Sequence, residues 1–561
     1  MKSTVLKYQT SLLFFTTFAA IFLRFVYYGF KYYPQIDDYI QYHNYATSID
    51  KWRLVTEQGL LSARPLAGLA DVFFWSELYS VMIVGVLFIS LMFAASAVIL
   101  YKLWNRYFGT GVMFIVLYSL LPLGFEGTYW MSASTRIVCG LFFSSLAGWL
   151  LDYFLRGGRL FIVPVWSLCQ LVSFCFYEQT LVFSLALTIV IIMLNWRAMR
   201  REPEREGRKL RLLWGLLSLV NAAVYFIFTS SFARGVFASR MKLILPDNDY
   251  YFKVFLPDIT GQVSDAFIKG GFYTFFKGFK RGAQIIFTDL TQSWSVYVYI
   301  LCVASVSIII YLQARRGDRA TYNGRRALCA VLCGIFLTVM PIMPFFVISN
   351  PWFSLRATVS SLPGIALAAD ALLRFITKNR TAAAAAVLTA MCCVASVSEL
   401  HDYRETYFYD QKAASAIYNE LSRAGIDKKS RTGILSLNAS YLDDQNFYYH
   451  EHIHGATHSG WALYGAVSAT AYDAGDNTVR GDIVPLATDG ENFYAAWNRE
   501  TKNLGGFDVL YYWDDKIGRL LPLRAERSDN GEYTLYFADG TICARTREEN
   551  GIGYITLKSD S

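Results

Sequence analysis

Two adjacent carboxylates follow the first long apolar run of the chain and are the first candidates for chemistry. Asp37 and Asp38 lie in a tyrosine-rich stretch, residues 31–45, just after the apolar run 9–30. A carboxylate in the partly watery interface of a membrane is a stronger base than one in water. If it accepts the proton of a hydroxyl nucleophile, attack by that hydroxyl is accelerated by about 100- to 10,000-fold. The pair is therefore predicted to be catalytic, and a hydrated loop is the alternative interpretation.

Further ionisable and aromatic residues occur in other polar connections predicted on the same side of the apolar runs. Ionisable groups at membrane depth are costly, so they are functional candidates by default, and the sequence offers these for substrate binding: Arg64, Glu126, Trp130, Arg136, Glu178 and Arg356. A guanidinium binds two phosphate oxygens at once. Arg64 precedes Pro65, which predicts an extended backbone, and a membrane anchor is its alternative role.

Three further features of the sequence each allow a functional and a structural interpretation. Arg24, inside the first apolar run, is expected to snorkel outward. The tryptophans Trp52, Trp130 and Trp352 could stack on the rings of a bound ligand, although membrane-belt residues look the same in sequence. Imidazoles recur at His450, His452, His454 and His458, in a pattern that suits zinc but is also common in surface loops. No cofactor is predicted with certainty, and a divalent metal stays open.

The composition is typical of a multi-pass membrane protein. Hydrophobic residues make up 54% of the 561 residues and charged residues only 17%, against about 25% in soluble domains. The net charge of +8 comes from basic residues in short loops between apolar runs, which is an orientation signal and argues against a nucleic-acid partner. Eight of the nine cysteines lie in apolar runs, so no disulfide framework is implied.

Eleven apolar runs are long enough to predict spanning helices. They are 9–30, 80–101, 108–125, 135–155, 160–177, 179–196, 212–230, 293–313, 327–349, 357–376 and 380–398. Every second connection is rich in Lys and Arg, which predicts a cytoplasmic N-terminus in the plasma membrane. An odd number of spans then places the C-terminal segment outside the cytoplasm. The long connection 231–292 is predicted to be either an amphipathic helix on the membrane surface or a packed loop.

The chain is predicted to divide into a transmembrane domain, residues 1–398, and a soluble extracytoplasmic domain, residues 399–561. The second part is polar, and helical spacing at 411–424 is followed by strand patterns at 431–438, 507–512, 533–537 and 554–557. At this length it can bury its own core. The predicted fold class is therefore mainly α, a helix bundle with a C-terminal α/β or α+β domain.

The sequence resembles the GT-C superfamily of polytopic glycosyltransferases, which use sugars carried on polyprenyl phosphate. It is most similar to the bacterial surface-polysaccharide glucosyltransferases of the serotype-converting kind. The resemblance is carried by Tyr-Pro-Gln-Ile-Asp-Asp-Tyr at 33–39, Ala-Arg-Pro-Leu at 63–66 and Tyr-Trp-Met-Ser-Ala-Ser-Thr-Arg at 129–136. It covers residues 1–398 and leaves the C-terminal segment unmatched.

This resemblance implies a GT-C-like bundle that moves a sugar, a hexose in these relatives, from a polyprenyl-phosphate donor to a surface glycan or glycolipid. It implies that Asp37 or Asp38 is the catalytic base or orients the acceptor. The basic residues Arg64, Arg136 and Arg356 would hold the lipid phosphate. Some members of the superfamily require a divalent metal and others do not.

Three other functions remain open at this stage. A transporter or flippase of glycan lipids would need ionisable residues at mid-membrane and broken helices in paired halves. A polymerase or ligase would transfer a lipid-linked glycan chain in place of a single sugar. A non-catalytic assembly protein would work through its C-terminal segment.

Overall fold

The computed structural model describes most of the 561-residue chain. The residues outside the description are 1, 45–50, 58, 63, 200–210, 233–242, 245, 247–248, 318–322, 349–350, 379, 427–429, 438–454, 477–481, 489–492, 496–503, 530–532, 550–551 and 558–561.

The chain forms two compact units. The helical unit comprises Met1–Tyr32 and Lys51–His401, and the sheet unit comprises Tyr33–Asp50 and Asp402–Ser561. The junction between His401 and Asp402 lies close to the predicted boundary between residues 398 and 399. The short segment that carries Asp37 and Asp38, however, groups with the C-terminal part of the chain and not with the bundle.

The helical unit is built almost entirely from helices. Its α-helices are α1 (Lys2–Leu23), α2 (Lys51–Thr56), α3 (Pro65–Phe73), α4 (Ile83–Phe108), α5 (Met113–Leu120), α6 (Glu126–Tyr129), α7 (Met131–Leu155), α8 (Ile162–Phe174), α9 (Glu178–Met199), α10 (Leu217–Ser231), α11 (Leu256–Ser264), α12 (Gly278–Asp289), α13 (Ser295–Gly317), α14 (Gly324–Val339), α15 (Leu362–Ile376) and the first part of α16 (Ala382–Arg423), whose residues from Asp402 onward belong to the sheet unit. Its 3₁₀ turns are Leu60–Ser62, Trp75–Val81, Pro122–Gly124, Trp214–Leu216, Met340–Phe346 and Leu355–Ser361, and its π-helical turns are Tyr251–Phe255, Asp265–Gly270 and Tyr273–Lys277.

Eight helices of the described residues are long and apolar enough to cross a membrane, which is compatible with the predicted multi-pass membrane protein. They are Ile83–Phe108, Met131–Leu155, Glu178–Trp196, Arg211–Ser231, Ser295–Arg316, Gly324–Phe346, Leu355–Ile376 and Ala382–Arg423. Two further apolar helices, Gln9–Leu23 and Ile162–Phe174, are shorter.

The predicted span at 108–125 differs most from the structure, because only eight of its residues form the α-helix α5. Leu121 ends that helix in an extended conformation, with ψ of 128°. It precedes Pro122, and the proline ring disfavours a helical backbone in the residue before it. The apolar run continues past Leu121, but as a 3₁₀ turn, Pro122–Gly124, and the four-residue α6.

Three long helices, α4, α7 and α9, run parallel and begin at the same end of the bundle. Near their starts, a Cβ added to Gly85 would lie 2.9 Å from Met131 Cε. At mid-length the hydroxyls of Ser96 and Ser145 are 2.8 Å apart. At their far ends Asp152 accepts hydrogen bonds from Arg106 and from Asn195, the latter at 3.3 Å. These contacts fix which side chains share an end of the bundle.

The sheet unit contains a mixed eight-stranded sheet, as the predicted α/β or α+β class requires. Its elements are a π-helical turn Tyr39–Asn44, the helix α17 (Gly460–Asp473), and the strands β1 (Thr432–Leu435), β2 (Ile483–Thr488), β3 (Phe493–Ala495), β4 (Val509–Asp514), β5 (Arg519–Arg527), β6 (Tyr533–Tyr536), β7 (Ile542–Glu549) and β8 (Ile552–Leu557). The strand order is β3-β2-β1-β4-β5-β6-β7-β8. Strand β1 pairs parallel with β2 and β4, and all other pairs are antiparallel.

Candidate active site

An arginine–glutamate pair joins the start of α3 to the start of α9. Arg64 Nε donates to both carboxylate oxygens of Glu178, at 3.0 and 2.8 Å, and the guanidinium lies 4.5 Å from the ring centre of Tyr177. Arg64 adopts the left-handed conformation, with φ of 54°, so the predicted extended backbone is wrong. Such strain costs about 1–2 kcal/mol in a residue other than glycine, and the pair with Glu178 holds it in place.

The Arg64 guanidinium is permanently charged and partly available. Burial lowers its pKa, but the Glu178 carboxylate and Tyr177 more than offset this, and the net pKa is raised. Both hydrogen bonds to Glu178 come from Nε. Within the described part of the chain Nη1 and Nη2 donate none, and the side chain is 27% exposed. Two parallel N–H groups are therefore left to bind a bidentate anion such as a phosphate.

A second arginine, Arg136 on α7, pairs with a carboxylate that the sequence prediction missed. Its Nη2 donates to Asp71 Oδ2 at 2.8 Å and its Nη1 to the Ser132 hydroxyl at 2.9 Å. Asp71 is 3% exposed in an otherwise apolar helix, α3. A lone carboxylate in an apolar helix is the signal that could have found it, because such a group needs a cationic partner.

The third arginine, Arg356, lies in the 3₁₀ turn Leu355–Ser361, with its guanidinium 5.1 Å from the ring centre of Trp130. Trp130 is 1% exposed, so its ring is held inside the protein and offers no face to a sugar in this conformation. The chain beside Trp130 also approaches this turn closely. A Cβ added to Gly127 would lie 2.8 Å from the carbonyl oxygen of Arg356.

Gln179 links these groups, although no sequence pattern predicts a role for it. Its amide nitrogen donates to the carbonyl oxygens of Ala357 and Pro341, both at 3.1 Å. Gln179 follows Glu178 directly in the first turn of α9. This turn therefore binds Arg64 through Glu178 and the 3₁₀ turn of Arg356 through Gln179. Glu126 is buried at the start of α6, next to Gly127.

Arg24 is buried, with 1% of its surface exposed, so the expectation that it snorkels outward is wrong. Its Nη1 donates to the carbonyl oxygen of Leu120 at 3.2 Å. The last carbonyls of a helix have no partner within the helix, and the early end of α5 leaves this one to Arg24. The Arg24 guanidinium also lies 5.1 Å from the ring centre of Phe25 and 6.0 Å from that of Phe125, within the range of a cation–π interaction.

The two predicted catalytic carboxylates belong to the sheet unit and differ from each other. Asp38 is fully buried, and its Oδ2 accepts a hydrogen bond from the backbone N–H of Gln35 at 3.0 Å. Asp37 is partly exposed, and its Oδ1 accepts from the indole N–H of Trp461 at 3.2 Å. Asp38 stabilises the local turn, while Asp37 is partly exposed to solvent.

The helical unit thus gathers Arg64, Arg136 and Arg356 near the starts of α7 and α9, whereas Asp37 and Asp38 lie in the other unit. The formal charges of the arginines are balanced by three carboxylates, Asp71, Glu126 and Glu178. The N-termini of α7 and α9 add partial positive charge. An anion at this end would therefore meet these helix N-termini and the incompletely used guanidinium of Arg64.

Metal ligation finds no support in the described residues, where no group of three or more His, Cys, Asp or Glu side chains could hold an ion. His450, His452 and His454 lie outside the described residues, and the side chain of His458 is not described either. No protein-family model matches the chain, and no curated protein matches it.

Proposed function

We propose that the protein is a membrane glycosyltransferase that moves a sugar, a hexose by its resemblance to GT-C enzymes, from a polyprenyl-phosphate donor to a surface glycan or glycolipid. The observation that supports this most is the arginine–carboxylate group at the start of α7 and α9. Four separate connections of the chain contribute to it.

In this proposal Arg64 binds the donor phosphate through Nη1 and Nη2, while Glu178 holds Nε. The leaving group is a lipid phosphate, and preorganised cations stabilise the charge that develops on it. Arg136 and Arg356 are already oriented by Asp71 and Trp130. They contribute positive field and keep the turns in place, and a divalent metal is an optional addition.

Asp37 is the proposed general base that accepts the proton of the acceptor hydroxyl. Its partial exposure and its single hydrogen bond from Trp461 support this role over Asp38. The sugar C–O bond to the phosphate breaks as the acceptor oxygen bonds to the anomeric carbon. The proton of that hydroxyl passes to the carboxylate, and polyprenyl phosphate leaves.

The proposed topology has eleven crossings, with the N-terminus in the cytoplasm and residues 402–561 outside it. Beyond the eight long apolar helices it needs the shorter helices Gln9–Leu23 and Ile162–Phe174. It also needs the interrupted segment of α5 and α6 to cross. A reporter fused after Lys209 should then read cytoplasmic and one fused after Ser561 external.

A flippase of glycan lipids is a second candidate, and one observation favours it. The helix α5 breaks at Leu121–Pro122, and the buried Arg24 binds the carbonyl at the break. Discontinuous helices and buried charges are typical of transporters. A transporter would move the lipid across the bilayer without cleaving its sugar.

The deciding experiment uses the purified full chain in vesicles with a panel of polyprenyl-phosphate sugars and acceptor glycans. The proposal expects release of polyprenyl phosphate that depends on the acceptor and is lost in Asp37→Asn. Movement of intact donor between leaflets without cleavage would favour the flippase. Transfer that persists in Asp37→Asn and Asp38→Asn would exclude both residues as the base.

A further inference from the structure

A long helical run in the connection after α10 presents a second surface. Residues 249–289 are continuously helical, and three π-helical turns alternate with α-helical turns, including α11 and α12. At 1.5 Å per residue this run is about 60 Å long. It is not among the helices that are apolar enough to cross a membrane.

One face of this run packs on the helical unit with a strict period of four residues. The buried positions are Ala266, Gly270, Thr274, Gly278, Gly282 and Ile286. In a regular α-helix a period of four drifts around the axis, because one turn holds 3.6 residues. Wider π-helical turns offset the drift, so the same face stays against the bundle.

This face lies across the ends of several spans. Tyr251 donates its hydroxyl to the carbonyl of Phe346 at 3.0 Å, and a Cβ on Gly270 would lie 2.6 Å from Leu355 Cδ2. Further along, Tyr27 donates its hydroxyl to Asp289 at 2.9 Å. A helix that contacts the end of one span and the start of another runs along the surface of the bundle and not through it.

The opposite face carries large apolar side chains with the same period. Ile268, Phe272 and Phe276, called here the apolar stripe, are 69%, 56% and 57% exposed. They are offset by two residues from the packed positions, which is half a turn when four residues make one turn. The rings of Phe272 and Phe276 contact each other at a tilt of 38°, with ring centres 5.2 Å apart.

Basic residues flank the apolar stripe. Lys269, Lys277 and Lys280 are exposed, and the nearby acid is Asp265, paired with Lys269 at 2.8 Å. An apolar face bordered by lysines matches a membrane interface, where rings enter the acyl boundary and ammonium groups meet anionic headgroups. We propose that residues 264–280 form an in-plane membrane helix, with the apolar stripe in the bilayer and the three lysines on anionic phospholipid headgroups. This inference does not depend on sugar transfer.

The test places a photo-crosslinking phenylalanine analogue at Phe272 or Phe276 of the full chain. The protein is reconstituted in vesicles of phosphatidylcholine and phosphatidylglycerol. Both positions should give lipid adducts by mass spectrometry. The same analogue at Phe255, a buried phenylalanine of the same run, should crosslink only within the protein. Positions 272 and 276 that crosslink only to protein, to a second copy, or to nothing would overturn the proposal.

The headgroup preference is tested with Lys269→Gln, Lys277→Gln and Lys280→Gln combined. The share of phosphatidylglycerol among the adducts should fall about five-fold or more. Lys253→Gln is the matched control, because Lys253 is exposed on the same run and pairs with Asp249 as Lys269 does with Asp265, but lies outside the proposed segment. An unchanged share in the triple variant would overturn the role of the lysines. Photoactivatable phosphatidylglycerol on the unmodified chain, with adducts mapped to residues 266–280, repeats the test without any substitution.

Discussion

The indole N–H of Trp461 donates a hydrogen bond to Asp37 Oδ1 at 3.2 Å, across 424 positions of sequence. This contact holds one oxygen of the carboxylate, and the side chain stays partly exposed. Asp38, its neighbour in sequence, is fully buried and accepts a hydrogen bond from the backbone N–H of Gln35. The two carboxylates therefore predict different consequences when each is changed to its amide.

Asp37→Asn should lower transferase turnover at least about 100-fold, because the amide keeps its size but cannot accept a proton. Donor binding and thermal stability should change little. Asp38→Asn should do the reverse, with a lower unfolding temperature and a smaller loss of turnover. Steady-state rates with the full chain in vesicles, together with thermal unfolding, separate the two effects. If both amides keep full turnover, Glu126 and Glu178 become the candidate bases.

Arg64→Ala should weaken donor binding by about 10- to 100-fold, because charge-assisted hydrogen bonds to phosphate are lost. Lys should restore only part of it, since it lacks the planar fork. Glu178→Gln should keep donor binding, because Nη1 and Nη2 remain. Arg53→Ala is the control, as Arg53 is exposed and pairs with Glu57. Binding is measured by titration with a polyprenyl-phosphate sugar. A purely structural pair would show equal stability losses in Arg64→Ala and Glu178→Gln and unchanged donor affinity.

Gly282→Ala should destabilise the helical unit by about 1–3 kcal/mol. A Cβ at this position would lie 2.0 Å from the carbonyl oxygen of Val394, a backbone atom that cannot turn away. Gly261→Ala is the matched control in the same helical run, because nothing lies within 4 Å of its added Cβ. That change should be neutral or stabilising by up to about 1 kcal/mol. Thermal unfolding in one detergent compares both variants. Equal stabilities would show that the run does not pack on α16, the helix that contains Val394.

The sheet unit should be more stable when the segment Tyr33–Asp50 is joined to residues 402–561 by a flexible linker than when it is left out. Tyr39 and Tyr42 are fully buried, and each buried aromatic contributes about 1.5–3 kcal/mol. A Cβ on Gly465 of α17 would lie 3.0 Å from the backbone nitrogen of Ile40. Urea unfolding of both fragments measures the difference. Equal midpoints would mean that the segment is not part of this unit.

The sequence predicted the membrane character, the mainly helical class and four of the strands because these follow from local patterns. It missed β2, β3, β5 and β7, and two of these, β2 and β5, contain a proline, Pro485 and Pro522. A proline demotes a strand prediction, because it removes a backbone donor. The break after Leu120 was missed for a related reason. A hydropathy average over the apolar run hardly changes at Pro122, whereas the proline ends the helical backbone there.

The candidate site was predictable as a set of residue types but not as pairs. Arg64 and Glu178 are 114 positions apart, and Arg136 and Asp71 are 65 apart, so no local spacing relates them. Asp71 was overlooked because a single carboxylate hardly changes the hydropathy of its helix. The difference between Asp37 and Asp38 depends on burial, which adjacent residues of the same type cannot reveal in sequence.

Asp410 lies in the part of α16 that belongs to the sheet unit, and its ionisation should make the stability of the protein depend on pH. α16 has 42 residues, or about 63 Å, roughly twice the hydrocarbon thickness of a membrane, so its polar end lies beyond any crossing. Burial raises the pKa of Asp410 from 3.8 to about 7, partly offset by hydrogen bonds from the backbone N–H groups of Ala456 and Thr457.

A carboxyl whose pKa is higher in the folded than in the unfolded state binds its proton more tightly when folded. Its contribution to stability is therefore largest below about pH 4, falls as pH rises towards about 7, and stays constant above. Asp410→Asn is neutral at every pH and its amide oxygen still accepts from Ala456, so the variant should lose this dependence. Thermal unfolding of the full chain and the variant should give similar midpoints near pH 4 and a more stable variant near pH 8. A difference between the two proteins that does not change across this range would show that Asp410 does not carry an elevated pKa.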